Sequence, residues 1–120
     1  MHEIGIASSI LESVAAESRR RPAVQVLAVG VRIGELAGVD KDALDFAFEA
    51  LIRNTVWQSL KLQIEYCPRR QRCLACYEEF AVHDLDLACP RCGANRSTCI
   101  SGTELDIAYL ELEEEPCAKS

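Results

Sequence analysis

The sequence predicts an α+β protein: a three-stranded, largely antiparallel sheet with two helices, plus an inserted zinc-ribbon-like domain. Two observations carry this. Apolar residues recur with a helical spacing, then with a spacing of two, and this alternation repeats along the chain. Before the last alternating stretch stand Cys73-Leu74-Ala75-Cys76 and Cys89-Pro90-Arg91-Cys92, two C-x-x-C pairs with twelve residues between them. The expected division is an α/β domain from residues 1–66 and 101–120, interrupted by a zinc-binding insert at residues 67–100.

In order, residues 3–19 read as an amphipathic helix, with Ile6, Ile10, Val14 and the Leu11/Ala15 pair at three-to-four spacing. Arg19-Arg20-Arg21-Pro22 ends it: cationic side chains favour a helix C-terminus, and proline cannot continue the ladder. Over residues 23–33 the period becomes two, with Leu27, Val29, Val31 and Ile33 on one face opposite Ala28, Gly30 and Arg32. Residues 34–39 read as a loop. Asp40 then N-caps a second helix to about Ile52, buried through Leu44, Ala47, Phe48 and Leu51. Leu60, Leu62, Ile64 and Tyr66 alternate with charged and polar residues as a strand, and residues 103–109 alternate again. The tail from Glu113 is acidic and expected to fray.

Composition narrows the function. The chain of 120 residues carries a formal net charge of −6, which four metal-bound thiolates would deepen. The cysteine segment itself, 67–99, balances five Arg against four Asp or Glu. Such a surface is poorly suited to phosphate, so a nucleic-acid partner is not expected. The N-terminus lacks a basic, apolar signal segment, and no apolar run reaches membrane-spanning length, so a cytoplasmic protein with no membrane partner is expected. Seven cysteines, four at metal spacing, suit a reducing compartment better than a disulfide framework.

Cys73, Cys76, Cys89 and Cys92 supply the four thiolates of a closed tetrahedral zinc site. Pro90 and Gly93 suit the tight knuckle of the second pair. The rival readings are an iron site with the same ligands and a pair of redox dithiols; neither pair sits in the βαβ context expected of the latter. With all four ligands used by protein, the metal is structural. Cys67 and Cys99 are expected to be small buried residues, Cys117 an exposed thiol, and His83 a surface-loop residue.

A second metal chemistry stands at the N-terminus. The Met1 amine, the His2 backbone nitrogen and its imidazole can close adjoining chelate rings, and the Glu3 nitrogen can complete a square. That nitrogen-rich geometry suits Ni(II) or Cu(II); a solvated chain end is the alternative. Glu3 and Asp40 are either helix-terminal caps or further ligands. No serine-nucleophile motif, phosphate loop or paired catalytic carboxylates occur, so no catalytic residue is nominated and no enzyme is read here.

Met1-His2-Glu3 opening a helix, Ile33-Gly34-Glu35-Leu36 before the next, the two cysteine pairs with Cys92-Gly93, and Ser101-Gly102-Thr103-Glu104-Leu105 together resemble the HypA/HybF family, from Met1 to about Leu112. The chain departs from that pattern at Asn54-Thr55-Val56-Trp57-Gln58-Ser59, where members usually carry a Gly-Thr and Glu-Gly-Ala-like run. The resemblance implies a nickel metallochaperone of NiFe-hydrogenase maturation. It implies nickel at Met1, His2 and Glu3, with Asp40 accessory, in the 1–66 and 101–120 domain, and zinc on the four cysteines. It further implies a HypB-type maturation GTPase and the hydrogenase large-subunit precursor as partners, with a related route serving urease maturation proteins. A short strand bordering the insert would permit segment exchange in a homodimer.

Overall fold

The computed structural model describes residues 2–114, so the expectations for Met1 and Cys117 fall outside the described residues. The elements are α1 (Glu3–Arg20), β1 (Val24–Gly34), a 3₁₀ turn (Glu35–Ala37), α2 (Lys41–Ile52), β2 (Lys61–Cys67), β3 (Arg70–Cys73), β4 (Glu79–Ala81), β5 (Ser97–Ser101) and β6 (Leu105–Glu114). They form two three-stranded, largely antiparallel sheets, ordered β2-β1-β6 and β4-β3-β5. The chain divides into two compact units. No helix among the described residues is long and apolar enough to cross a membrane.

The first unit holds residues 2–31, 39–65 and 106–114. Helix α1 buries Ala7, Ile10 and Val14, one stripe at helical spacing, and packs against α2. Its last turn carries Arg19 and Arg20, and Glu17 meets Arg20 at 3.5 Å and Arg21 at 3.1 Å. Helix α2 begins where the Asp40 carboxylate accepts the Ala43 N–H at 3.1 Å. It buries Leu44, Ala47, Phe48 and Ile52. The expected Leu51 is only half-buried; it lines an open groove beside Ala47 and Ala50, while Ile52 is buried. The segment after α2 is a turn, with Asn54 at φ 61° and the Thr55 hydroxyl donating to the Ile52 carbonyl at 2.6 Å.

Strand β1 is central, so it is covered on both faces rather than on one. Val29, Val31 and Ile33 are buried as expected, and so are Val26, Ala28 and Gly30. The cover over Gly30 is the Tyr109 ring from β6, whose hydroxyl bonds Gln63 Oε1 on β2. A Cβ at Gly30 would run into that ring. Gly34 at the far end of β1 donates to the Glu104 carbonyl at 2.7 Å, before β6 begins, so β1 and β6 run antiparallel. On β2, Leu62 and Ile64 are half-buried, while Tyr66 is exposed instead of continuing the core face. The strand leaves the first unit after Glu65, so Tyr66 has passed the end of that core.

The second unit contains Arg32–Gly38 and Tyr66–Leu105. Arg32–Gly38 belongs with it through backbone contact. Gly34 lies so close to the Gly102 backbone that no Cβ fits, Leu36 N–H donates to the Gly102 carbonyl at 2.7 Å, and the Glu35 carboxylate accepts Arg69 N–H at 2.8 Å. Strand β3 pairs antiparallel with β4 (Gln71 opposite Phe80) and with β5 (Gln71 opposite Cys99). Cross-strand Arg72 and Glu79 meet at 2.6 Å. The only large apolar side chain buried in this unit's core cluster is Phe80, packed with Cys73 and Cys89 and bordered by Cys76, Val82 and Ala94.

The two close glycines respond differently to a methyl group. Gly34→Ala meets backbone and lowers the unfolding free energy by about 1–3 kcal/mol, with no rescue from Tyr109→Ala. Gly30→Ala meets a movable ring, and Tyr109→Ala restores part of its loss. Denaturant midpoints of the four variants, at unchanged m-value, check this.

Candidate metal centre

The two cysteine pairs close on each other through matching backbone. In the first knuckle the Tyr77 N–H donates to the Cys73 carbonyl at 3.0 Å, and the Cys73 N–H to the Glu78 carbonyl at 2.8 Å. In the second, the Gly93 N–H donates to the Cys89 carbonyl at 2.8 Å, and the Cys89 N–H to the Ala94 carbonyl at 2.9 Å. Each knuckle therefore turns through a left-handed residue one past its second cysteine. Gly93 (φ 80°) takes that conformation freely, while Tyr77 (φ 66°) takes it against its Cβ.

This backbone gathers the four sulfurs. Cys73 Sγ and Cys92 Sγ are 3.6 Å apart, as are Cys76 Sγ and Cys89 Sγ, and all four lie within 4.8 Å of one another. A tetrahedral ion with metal–sulfur bonds of about 2.3 Å has sulfur–sulfur edges of about 3.8 Å, so the cluster fits zinc. Backbone N–H groups point at the sulfurs: Ala75 at 3.3 Å and Cys76 at 3.4 Å to Cys73, and Arg91 at 3.4 Å to Cys89. Such donors favour the thiolate form.

The ionisation pattern shows why a cation belongs here. The Cys76 amide, aided by the Ala75 amide and neighbouring thiols and opposed by burial, brings Cys73 down to about 6. The Cys92 amide similarly holds Cys89 below the usual thiol range. Against the pull of the Glu78 amide, burial and the neighbouring thiols push Cys76 up to about 12. Cys92 is likewise raised, the Ala94 amide being outweighed by Cys73 and burial. Two thiolates form readily and discourage the other two; a divalent cation removes that conflict.

Neither described cysteine outside the cluster is fully buried as expected. Cys99, on edge strand β5, is exposed, donating its S–H to the Ser101 carbonyl at 3.2 Å. Cys67 is half-buried, and His83 is exposed at a turn where it bridges to Asp86.

At the N-terminus the described residues are His2 and Glu3. His2 is the N-cap of α1; it is exposed, and its side chain makes no capping hydrogen bond. Glu3 Oε2 accepts the Asp40 backbone N–H at 3.0 Å, so the two residues named from sequence are adjacent. They form a relay of caps, Glu3 on Asp40 and Asp40 on Ala43. The Asp40 amide accordingly holds the Glu3 carboxyl below its ordinary value. Among the described residues, only the four cysteines bring three or more His, Cys, Asp or Glu ligand atoms within 4.8 Å, so His2, Glu3 and Asp40 are not drawn into such a group. Beside His2 and Glu3 lies an apolar groove of about 430 Å³, lined by Ile4, Ala43, Phe46 and Ala50 among others. Sequence reading missed it. Its signal was Ile4 and Phe46, large apolar residues off the buried stripes of their helices.

Comparison with known proteins came to one family. Residues 1–112 match the family described as "Hydrogenase/urease nickel incorporation, metallochaperone, hypA". A "Hydrogenase maturation factor HypA" from Geobacter metallireducens is 41% identical over 113 residues, 94% of this chain and all of the relative. One from Alkalilimnicola ehrlichii is 38% identical over the same shares. Two solution structures are similar at 26% identity over 96% of this chain. A HypA protein, 98% covered, has a TM-score of 0.70, and the Ni metallochaperone HypA from Helicobacter pylori, fully covered, one of 0.62.

Acidification weakens metal binding at the cysteines, since protons compete for all four sulfurs; metal release to a chromophoric chelator therefore rises as pH falls. Stripping the metal at neutral pH removes the ordered amide signals of β3, β4 and β5 and leaves those of α2. Glu3 has a lowered folded-state pKa, so its cap stabilises fully above the ordinary carboxyl value. That stabilisation is lost as pH falls through the lowered value. The stability gap between the native chain and Glu3→Gln therefore closes in acid, read by thermal melts across pH.

Proposed function

The chain belongs to the HypA family, and from that premise we propose that it is a nickel metallochaperone of hydrogenase maturation. It carries Ni(II) at Met1, His2 and Glu3, with Asp40 as an accessory ligand, and holds a structural zinc on Cys73, Cys76, Cys89 and Cys92. The nickel is cargo, received with a HypB-type GTPase and delivered to the NiFe-hydrogenase large-subunit precursor in the cytoplasm; a related delivery serves urease maturation. The reading names no reaction and no catalytic residue.

The single observation that supports it most is His2: an exposed imidazole with no capping bond, at the start of α1, in a chain whose family is described by nickel incorporation. A cargo site must release its ion, and ligands at an exposed chain end can be displaced one by one. The four-cysteine cluster has the opposite character. Its donors are half-buried or buried save Cys92, and its backbone bonds fix the sulfurs in place.

A Ni(II) titration of the zinc-loaded chain with its authentic N-terminus, beside His2→Ala, tests the proposal. The expected result is one nickel per chain with the absorption of nitrogen-rich, square-planar coordination, lost in the variant while zinc stays at one equivalent. Equal nickel binding by both proteins removes His2 from the site and leaves a metal-stabilised interaction module without cargo.

A further inference from the structure

The two knuckles of the metal centre differ at one backbone position that matters. Both run through a C-x-x-C pair, and both are closed by the same two backbone hydrogen bonds. Both place the residue after their second cysteine in the left-handed region, Tyr77 at φ 66° and Gly93 at φ 80°. Glycine adopts that conformation without steric cost, whereas the Cβ of an L-residue crowds the following carbonyl oxygen. Asparagine and aspartate soften the clash with local hydrogen bonds, but tyrosine has no short polar group to do so.

No packing around Tyr77 offsets the strain. Its side chain is 71% exposed and stands outside the cluster of Phe80, Cys73 and Cys89 with its border of Cys76, Val82 and Ala94. The conformation is imposed by the hairpin instead. Cys73 ends β3 and Glu79 begins β4, with Arg72 paired opposite Glu79. That register leaves only a short reversal, and the Cys73 N–H bond to the Glu78 carbonyl fixes its ends. Short hairpin reversals of this kind call for a left-handed residue near their close. The second knuckle shows what a side chain alone would do. A Cβ built at Gly93 has no atom within 4 Å, so a methyl group there would add backbone strain and no collision.

We infer that Tyr77 is a strain element that weakens the chain's hold on zinc, so that the cluster gives up its ion more readily than the same four sulfurs would with glycine at both turns. A metal bonded to Cys73 and Cys76 keeps the first knuckle closed and Tyr77 left-handed. Once the ion leaves, the residue relaxes, and that relaxation favours the metal-free form. Phe80 is the one large side chain in this core, so Tyr77 also sets how readily the β3–β4–β5 unit loses its order. The cluster is thereby tuned toward exchange with competing chelating ligands by a residue that contributes no ligand. This rests on the reading of the four cysteines as a zinc site and is independent of nickel at His2.

The test is zinc competition against a chromophoric chelator at fixed pH. It uses the full-length native chain and four variants, with zinc per chain and circular dichroism recorded for each. Tyr77→Gly is expected to tighten apparent zinc binding by about threefold to tenfold, the freedom of glycine in the metal-free chain offsetting part of the gain. Tyr77→Ala keeps a Cβ in the left-handed region and is expected to bind as the native chain does, which separates backbone strain from any contact of the ring. Gly93→Ala is expected to weaken binding by a similar factor, and Tyr77→Gly/Gly93→Ala to return it near the native value. The inference is overturned if Tyr77→Gly binds zinc no more tightly than the native chain, or takes up none. It is overturned too if Tyr77→Ala gains as much as Tyr77→Gly, or if Gly93→Ala costs nothing. A native chain that binds no zinc defeats the zinc reading and this inference with it; one zinc per chain, held equally by every variant, defeats the inference alone.

Discussion

Four sulfurs held within 4.8 Å of one another are the constraint on which the second unit depends. Their backbone donors favour ionisation, yet without a cation burial and the neighbouring thiols raise Cys76 and Cys92 against it. The apolar core cannot substitute for the metal. Phe80 is the one large side chain buried with the cysteines, and Val82 and Ala94 only border them. Structural zinc contributes on the order of 10 kcal/mol in small domains, well above what one buried phenylalanine supplies. The strands β3, β4 and β5 are short for the same reason: they need only position two knuckles.

That economy explains the repeated geometry of the knuckles. Each C-x-x-C needs a chain reversal just after its second cysteine, and the same two backbone bonds close both. The second knuckle meets the requirement with Gly93. The first meets it with Tyr77, whose side chain is mostly exposed and so gains little packing in return. The left-handed conformation there costs on the order of 1–2 kcal/mol. Metal binding to both knuckles together holds it in place.

Much of this was legible in the sequence, because much of it is local. Periods of 3.6 and 2 marked α1, β1, α2 and β2, the Asp40 cap appeared where its chemistry placed it, and the cysteine spacing gave the cluster outright. What escaped was non-local. Nothing in Ile33-Gly34-Glu35-Leu36 says that Gly34 abuts Gly102, since the partner is 68 residues away and the signal is an absent side chain. The cover over Gly30 by Tyr109 was invisible for the same reason, and it turned a strand read as one-sided into one buried on both faces. Tyr66 followed the alternation faithfully and is nonetheless exposed, because a period states which residues share a face and not where the core ends. Cys99 shows the limit of residue type: cysteine is usually buried, but β5 is an edge strand and this one is exposed.

The relay from Glu3 to Asp40 to Ala43 bears on how a cargo ion would be held at the N-terminus. Each cap engages one oxygen of its carboxylate, Glu3 Oε2 with the Asp40 amide and Asp40 Oδ1 with the Ala43 amide. A carboxylate has two oxygens and several acceptor directions, so capping and ligation are not exclusive. The caps fix the start of α1 against the start of α2 before any ion arrives, which lowers the ordering entropy that binding must overcome. They also keep Glu3 ionised further into acid, in the form an ion requires. On the proposed reading, the two carboxylates tethered by amides would hold the geometry, and the exposed His2 imidazole, with no capping bond, would be the ligand most open to displacement.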